Sequence, residues 1–452
     1  MKTMILRYLP PPFLPLVQRI EASSIASRLA HGTFWSLVGT VFARGLSVLA
    51  SIVVARQLGR EEFGALGIIQ STVLNISIFV SYALGMTATK HIAEFRSGDP
   101  EKAGRILSLS GFTAAFAGAV LAGSLAVGAP ILAERTLAAP QLTGLLRVGS
   151  LYLFLTALNG AQTGALAGFE AFRSIARMNL IVGIVTFVCM VGGVVASGLA
   201  GAVWGLVAST AVGWLVGHRA VRREAVRFGV PLSWHGICRE MPILKSFSLP
   251  AILASALYGP VGWVCSAMLV NEHNGYAQMG VFNATNQWFA MVMFLPGLLG
   301  QVILPMLAES SGAGNGRRSL RIIQLTFLAN AIVVVPLVLL ASLVSPWLMS
   351  LYGADFGSEW PVLVLSLVTA GILAVQTPLS QAFNAEGRVW TAFFLNLGWA
   401  AAFIVLNVLM IKWGARGLVS ARLLAYLLQM LFMVLLFIRL PSCRRGAVES
   451  AV

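Results

Sequence analysis

The run from Thr33 to Gly64, TFWSLVGTVFARGLSVLASIVVARQLGREEFG, constrains the chain most. It opens with about 22 mostly apolar helix formers, enough to cross a bilayer core at ~1.5 Å rise per residue. Arg44 sits at its midpoint, where a charge costs roughly 3 kcal/mol or more. Ser36, Thr40, Ser47 and Ser51 recur every three or four residues and share one helix face with it. A helix of this kind cannot turn its polar stripe to lipid. It must aim the stripe into a hydrated space enclosed by protein.

The rest of the chain places this helix among many like it. Of 452 residues, 58% are hydrophobic and 10% charged, far from the soluble norm of about 25% charged. The net charge of +15 would suggest nucleic acid in a soluble protein. Here the basic residues gather in short gaps between apolar runs, and the aromatic residues lie inside those runs, which excludes nucleic acid as a partner. Cys189, Cys238, Cys265 and Cys443 have no paired or metal-ligand spacing, and the five histidines stand singly, so no metal or cofactor is expected. At the N-terminus Pro10, Pro11 and Pro12 interrupt a short apolar piece before a signal-peptide core can form.

Twelve apolar segments can be marked between residues 33 and 438, six on each side of the basic gap from Arg219 to Lys245. The expected organisation is a basic tail (1–32), a six-helix bundle (33–219), a linker (220–243), a second six-helix bundle (244–438) and a short tail (439–452). With an even number of spans both termini share one side. That side carries 23 of the 31 Lys and Arg residues and the other side five, which predicts cytoplasmic termini. The halves also match each other. EFGALGIIQST aligns with GYAQMGVFNAT (Gly67 on Gly280), GFEAFRSIARMNL with AEGRVWTAFFLNL (Asn179 on Asn396), and LAGAVWGLV with ARGLVSARL (Gly201 on Gly417). Three matches at nearly one offset describe a duplication. Units of six spans run in the same direction, so the predicted fold is all-α: twelve transmembrane helices in two pseudo-symmetric bundles around a central cavity.

Catalysis finds no support in the residues. There is no Ser-His-Asp or Cys-His arrangement, no carboxylate pair at membrane depth and no GxxxxGK phosphate loop. A membrane enzyme of polysaccharide polymerisation would need a substantial loop rich in acidic residues; the longest gap on the outer face offers only Asp355 and Glu359. The sign of the buried charge favours transport of an anion. The spans carry arginines and no central Asp or Glu, which a cation or drug antiporter of the usual kind would need. Arginine's fork of donors suits phosphate oxygens. Candidate substrate-binding residues are Arg44 with Thr40 and Ser47, Arg147, Arg422, and the amides Asn75, Asn159, Asn283 and Gln287. Arg147 and Arg422 could instead snorkel, and each amide could instead be interhelical glue. Arg56 and Arg60 read as an interfacial pair with Glu61 and Glu62 as partners. By the first offset Arg44 corresponds to Leu257, so the charge is absent from the repeat.

The runs VARQLGREEFGALGIIQS (54–71), MSLYGADFGSEWPVLVLSL (349–367) and QAFNAEGRVWTAFFLNL (381–397) resemble bacterial oligosaccharide flippases. Those proteins belong to the multidrug/oligosaccharidyl-lipid/polysaccharide superfamily. The resemblance spans nearly the whole chain. It implies a V-shaped pair of bundles in the bacterial inner membrane. It also implies translocation of an undecaprenyl-pyrophosphate-linked oligosaccharide from the cytoplasmic to the periplasmic leaflet, for O-antigen or exopolysaccharide assembly. Membrane lipids, a polysaccharide polymerase and other assembly proteins are the implied partners, and Arg44 is the position that fits the family's cationic cavity residues. An exporter of cationic drugs in the same superfamily is the alternative.

Overall fold

A computed structural model describes residues 24–231, 237–243, 258–312, 316–386 and 388–437, and among them the regular structure is helical throughout. The first bundle holds α1 (24–58), α2 (60–95), α3 (Pro100–Ile131), α4 (Thr143–Gly168), α5 (172–196) and α6 (199–227). The second holds α7 (Tyr258–Val270), α8 (Gly275–Val292, resuming as Phe294–Gly312), α9 (Gly316–Leu343), α10 (Trp360–Ala385), α11 (Val389–Met410) and α12 (Gly414–Phe437). Seven continuous helical stretches are long and apolar enough to cross a membrane. Three of them double back, at Gly59, at Ser197–Gly198 and at the 411–413 turn, so twelve passes are consistent with the architecture. α1 takes in residues 24–32, which the sequence assigned to the tail, and α6 takes in 220–227 of the expected linker. Residues 1–23, 244–257 and 438–452 lie outside the described part. Large apolar side chains face outward along the helices, with Val127 81% and Leu343 78% exposed, a surface that only lipid covers. The protein is a multi-pass membrane protein.

The turns sort the molecule into two ends. The end carrying the 96–99, 169–171 and 386–388 turns holds most of the basic residues and is called the basic end here. The opposite end carries Gly59, the 132–142 turn, the 271–274 turn and two short helices, Ser345–Ser350 and Ala354–Gly357.

The duplication is visible in backbone conformation. Gly198 (φ 57°, ψ −135°) and its repeat mate Gly414 (φ 64°, ψ −139°) open α6 and α12 with the same left-handed turn, which a residue with a Cβ adopts only at a cost. Asn179 of α5 donates to Thr40 Oγ1 of α1 (3.5 Å), and its mate Asn396 of α11 accepts from Tyr258 Oη of α7 (2.7 Å), so each fifth helix is tied to the first of its own bundle. The bundles meet where α2 crosses α8. A Cβ on Gly64 would lie 1.9 Å from Tyr276 O, and one on Gly280 would lie 2.1 Å from Arg60 O. Gly67 and its mate Gly280 both stand at this crossing, so the pseudo-twofold axis passes through it.

Proline accounts for the break in α8. Pro296 has no N–H for the Val292 carbonyl, and its ring crowds that turn, so the helix interrupts at Met293 and restarts at Phe294.

Candidate functional site

The polar stripe of α1 faces the second bundle. α1 seats Gly39 and Ala43 against Ala176 and Gly183 of α5, turns Val41, Phe42 and Leu49 outward, and leaves Thr40, Arg44 and Ser47 on the remaining side. From there the Arg44 guanidinium reaches α8: Nη1 donates to Ala290 O (3.3 Å) and the group lies 5.1 Å from the Phe294 ring centroid. Arg44 and Ser47 are both exposed. Ser51, one turn further, is buried, donates to Val48 O and lies 3.4 Å from Tyr352 Oη. Ser36 carries no described side chain.

Arg422 approaches the same helix from the other side. It is buried in α12, at 8% exposure, and does not snorkel. Its Nη1 donates to Asn286 Oδ1 (3.3 Å), and its guanidinium lies 4.3 Å from the Phe289 ring and 5.4 Å from the Phe282 ring. Its Nε and Nη2 are buried with no hydrogen-bond partner among the described residues. The two arginines therefore flank one short stretch of α8, residues 282–294, one from each bundle. Gln287 is half-buried on that stretch and shares a face with Ala290 and Phe294, beside Arg44.

The other candidates separate from this pair. Asn283 donates to Phe63 O (3.3 Å) and fills the space above Gly67, so it joins the bundles at their crossing. Asn75 donates to Ser71 O (2.7 Å) and abuts Gly259 of α7. Asn159 donates to Thr210 O of α6 (3.2 Å), within its own bundle. Thr40 is held by Asn179. Arg147 is exposed in the first turns of α4, which packs inside the first bundle, and the structure does not bring it to α8. The reading of Arg56 and Arg60 as partners of Glu61 and Glu62 is corrected. Arg56 Nε donates to Leu351 O, and Arg60 donates to Asp355 O and pairs with Glu359 (3.3 Å). Glu359 also pairs with Arg416 (3.3 Å). Short helices that follow α9, almost 300 residues downstream, supply these partners, and no local signal announces them.

Hydrogen bonds between the bundles gather at the opposite end and run down to the level of Arg44. Asn271 donates to Thr136 O (2.7 Å), Tyr276 Oη to Leu137 O (2.8 Å), and Trp263 Nε1 to Thr72 Oγ1 (2.8 Å). Beyond Arg44 each side packs inward instead: α2 on α4 through Ser81 and Thr89, and the second half of α8 on α9 and α10. Among the described residues, the bundles are joined at the opposite end down to the level of Arg44 and part from one another toward the basic end.

The family described as "Polysaccharide biosynthesis protein" matches residues 29–311, more than half of the chain. The chain belongs to that family. Over 429 residues it is 24% identical to the EPS I polysaccharide export inner membrane protein EpsE of Ralstonia solanacearum, covering 93% of this chain and 94% of that one. Among solved structures it is similar to the inward-facing conformation of a multidrug resistance MATE family transporter of the MOP superfamily. That match has a TM-score of 0.74 and 16% identity, over 92% of this chain and 96% of that one. It is also similar to the lipid II flippase MurJ in an inward closed conformation, with a TM-score of 0.72 and 13% identity, over 92% and 90%. An outward-facing MATE family transporter gives a TM-score of 0.62 at 16% identity, over 92% and 96%. The chain has the fold of MOP-superfamily transporters and is a transporter of polysaccharide biosynthesis.

Proposed function

We propose that this protein flips a polyprenyl-pyrophosphate-linked oligosaccharide from the cytoplasmic to the periplasmic leaflet of the bacterial inner membrane. Arg44 contacts the anionic head group. The basic end is the cytoplasmic end and both termini lie there, in keeping with the distribution of Lys and Arg. The observation that carries the reading is the meeting of Arg44 and Arg422 on residues 282–294 of α8, where the bundles part toward the basic end. Two guanidiniums without a central carboxylate suit an anion, and a cationic drug would meet repulsion there. Export proteins are the named relatives, so the protein moves the saccharide and other proteins build and polymerise it.

The cycle follows from the geometry. The head group enters from the basic end while the opposite end is held shut by Arg56 and Arg60 of the first bundle on Leu351, Asp355 and Glu359 of the second. The glycine crossing of α2 and α8 brings the two backbones into close contact and serves as the pivot about which the bundles rock. Opening the opposite end breaks the Arg60–Glu359 pair, which joins the bundles, and releases the head group outward. The test is complementation of a strain lacking the gene, scoring surface polysaccharide and the leaflet in which the lipid-linked intermediate resides. Loss of the gene is expected to strand the intermediate in the cytoplasmic leaflet, and Arg44→Ala is expected to do the same at normal protein level. Normal export without the gene would overturn the proposal.

A further inference from the structure

Asn286 shares a face of α8 with its neighbours Asn283 and Gln287, and it holds the more telling position. Its side chain is exposed, while the groups on either side of it are committed. On one flank lies Arg422 of the same bundle; on the other lies Asn283, which touches the first bundle, and one turn on is Ala290, the acceptor for Arg44. A side chain exposed between two such flanks lines the space between the bundles.

The chemistry of Arg422 orients it. A guanidinium only donates, so the Asn286 oxygen must face Arg422, as the 3.3 Å contact has it. The carboxamide is planar, so its NH2 group then points away from Arg422, toward the open space. Arg44 of α1, exposed against the adjacent strip of α8, also has only donors to offer. The polar groups gathered there are the Arg44 guanidinium, the Gln287 amide and the Asn286 NH2 group, the last held in one orientation.

We infer that Asn286 is a specificity-determining residue whose NH2 group, held outward by Arg422, donates to an anionic oxygen of the substrate beside Arg44. Arg422 is a positioning residue, buried behind Asn286 and acting through it. The inference rests on the proposed transport site between the bundles and narrows it: the recognised group is acceptor-rich and anionic. Two sources carry that chemistry, the pyrophosphate of a lipid carrier and the carboxylate of an acidic sugar.

Asn286→Asp separates donor from structure. The carboxylate still accepts from Arg422, and so keeps the buried guanidinium partnered, but it shows the substrate oxygen and negative charge. Asn286→Thr is the second variant; its hydroxyl can accept from Arg422 while the NH2 group is gone. The full-length protein in nanodiscs is titrated with inorganic pyrophosphate, sodium glucuronate and glucose, and its thermal unfolding is followed in parallel. The expected result is binding of an anion, weakened about tenfold to a hundredfold by Asn286→Asp, the range for a lost hydrogen bond to a charged group. Unfolding temperature is expected to stay within a few degrees of the parent. Pyrophosphate as the responsive probe assigns the contact to the carrier, and glucuronate as the responsive probe assigns it to an acidic sugar. Should Asn286→Asp not fold, the same loss in Asn286→Thr supports the inference and unchanged binding overturns it. Parent affinity in Asn286→Asp, or no binding of either anion by the parent, overturns it. If Asn286→Asp exports normally while Arg44→Ala does not, the Asn286 inference fails and the transport reading stands; if both export normally, the Asn286 inference and the Arg44 contact fail, while normal export without the gene sinks the transport reading.

Discussion

The two bundles keep their backbone devices in common and differ in charge. Gly67 and Gly280, Gly198 and Gly414, and Asn179 and Asn396 occupy matching positions and perform matching tasks: crossing, turn and tie. Neither arginine is repeated. Arg44 corresponds to Leu257, and Arg422 corresponds to Leu206, which is buried at 6% exposure. A duplicated scaffold needs the same residues twice, whereas an asymmetric ligand needs each contact once. On the proposed transport site, the difference between the halves separates the residues that build the scaffold from those that meet the cargo.

The largest effect is expected where the comparison finds identity. Gly280→Leu and Gly64→Val drive a side chain into opposing backbone, which has less freedom to yield than a core where overpacking costs about 1–3 kcal/mol. Folded protein is expected to be lost, as size-exclusion profiles in detergent would report. Arg44→Ala comes next. Export should fall about tenfold to a hundredfold with protein level unchanged, and Arg44→Lys should recover part of it, because charge returns without the fork. Arg422→Leu makes the halves alike. Removing a buried guanidinium with two unpaired nitrogens should hold or raise stability, by up to about 4 kcal/mol, while export falls. Parent-level export from that variant would break the argument from asymmetry. Glu359→Gln weakens a contact with two arginines worth about 1 kcal/mol each at most, since one partner is half-exposed. Labelling of a cysteine placed at Ser51, buried against Tyr352 of the other bundle, by an impermeant thiol reagent should rise a few-fold as the opposite end opens. The smallest effect is Gly45→Ala. With no atom within 4 Å of the added methyl, unfolding temperature should hold or rise slightly.

Much of the fold is legible in the chain. Apolar segments of bilayer length, glycine at the turns and one-sided basic gaps follow from hydropathy and local backbone chemistry, and the repeat offset pairs the halves before any contact is known. Arg44 is legible too, because a charge at the centre of a span has few outlets. Arg422 was harder. Its distance from the span end allowed snorkelling, and only the packing of α12 on the aromatic face of α8, 136 residues earlier, shows it buried. Asn75, Asn159 and Asn283 look alike in sequence, and each was left open between cargo and glue. All three spend a donor on backbone, two of them across helices. The partners of Arg56 and Arg60 lie on another bundle, and nearby glutamates were a misleading guide.

The interruption of α8 has a consequence for the empty transporter. At the end of its first half the Val292 carbonyl faces a proline nitrogen and lacks an amide partner, so partial negative charge gathers at the break. Arg44 rests on that pole through Ala290. The cation thus has a provisional counter-charge while no cargo is present, which lowers the cost of keeping it at membrane depth. The 3.3 Å contact is long for a charged donor and easily exchanged. On the proposed reading, an arriving anion trades a backbone dipole for a full charge, so the break in α8 holds Arg44 ready without a permanent acidic partner.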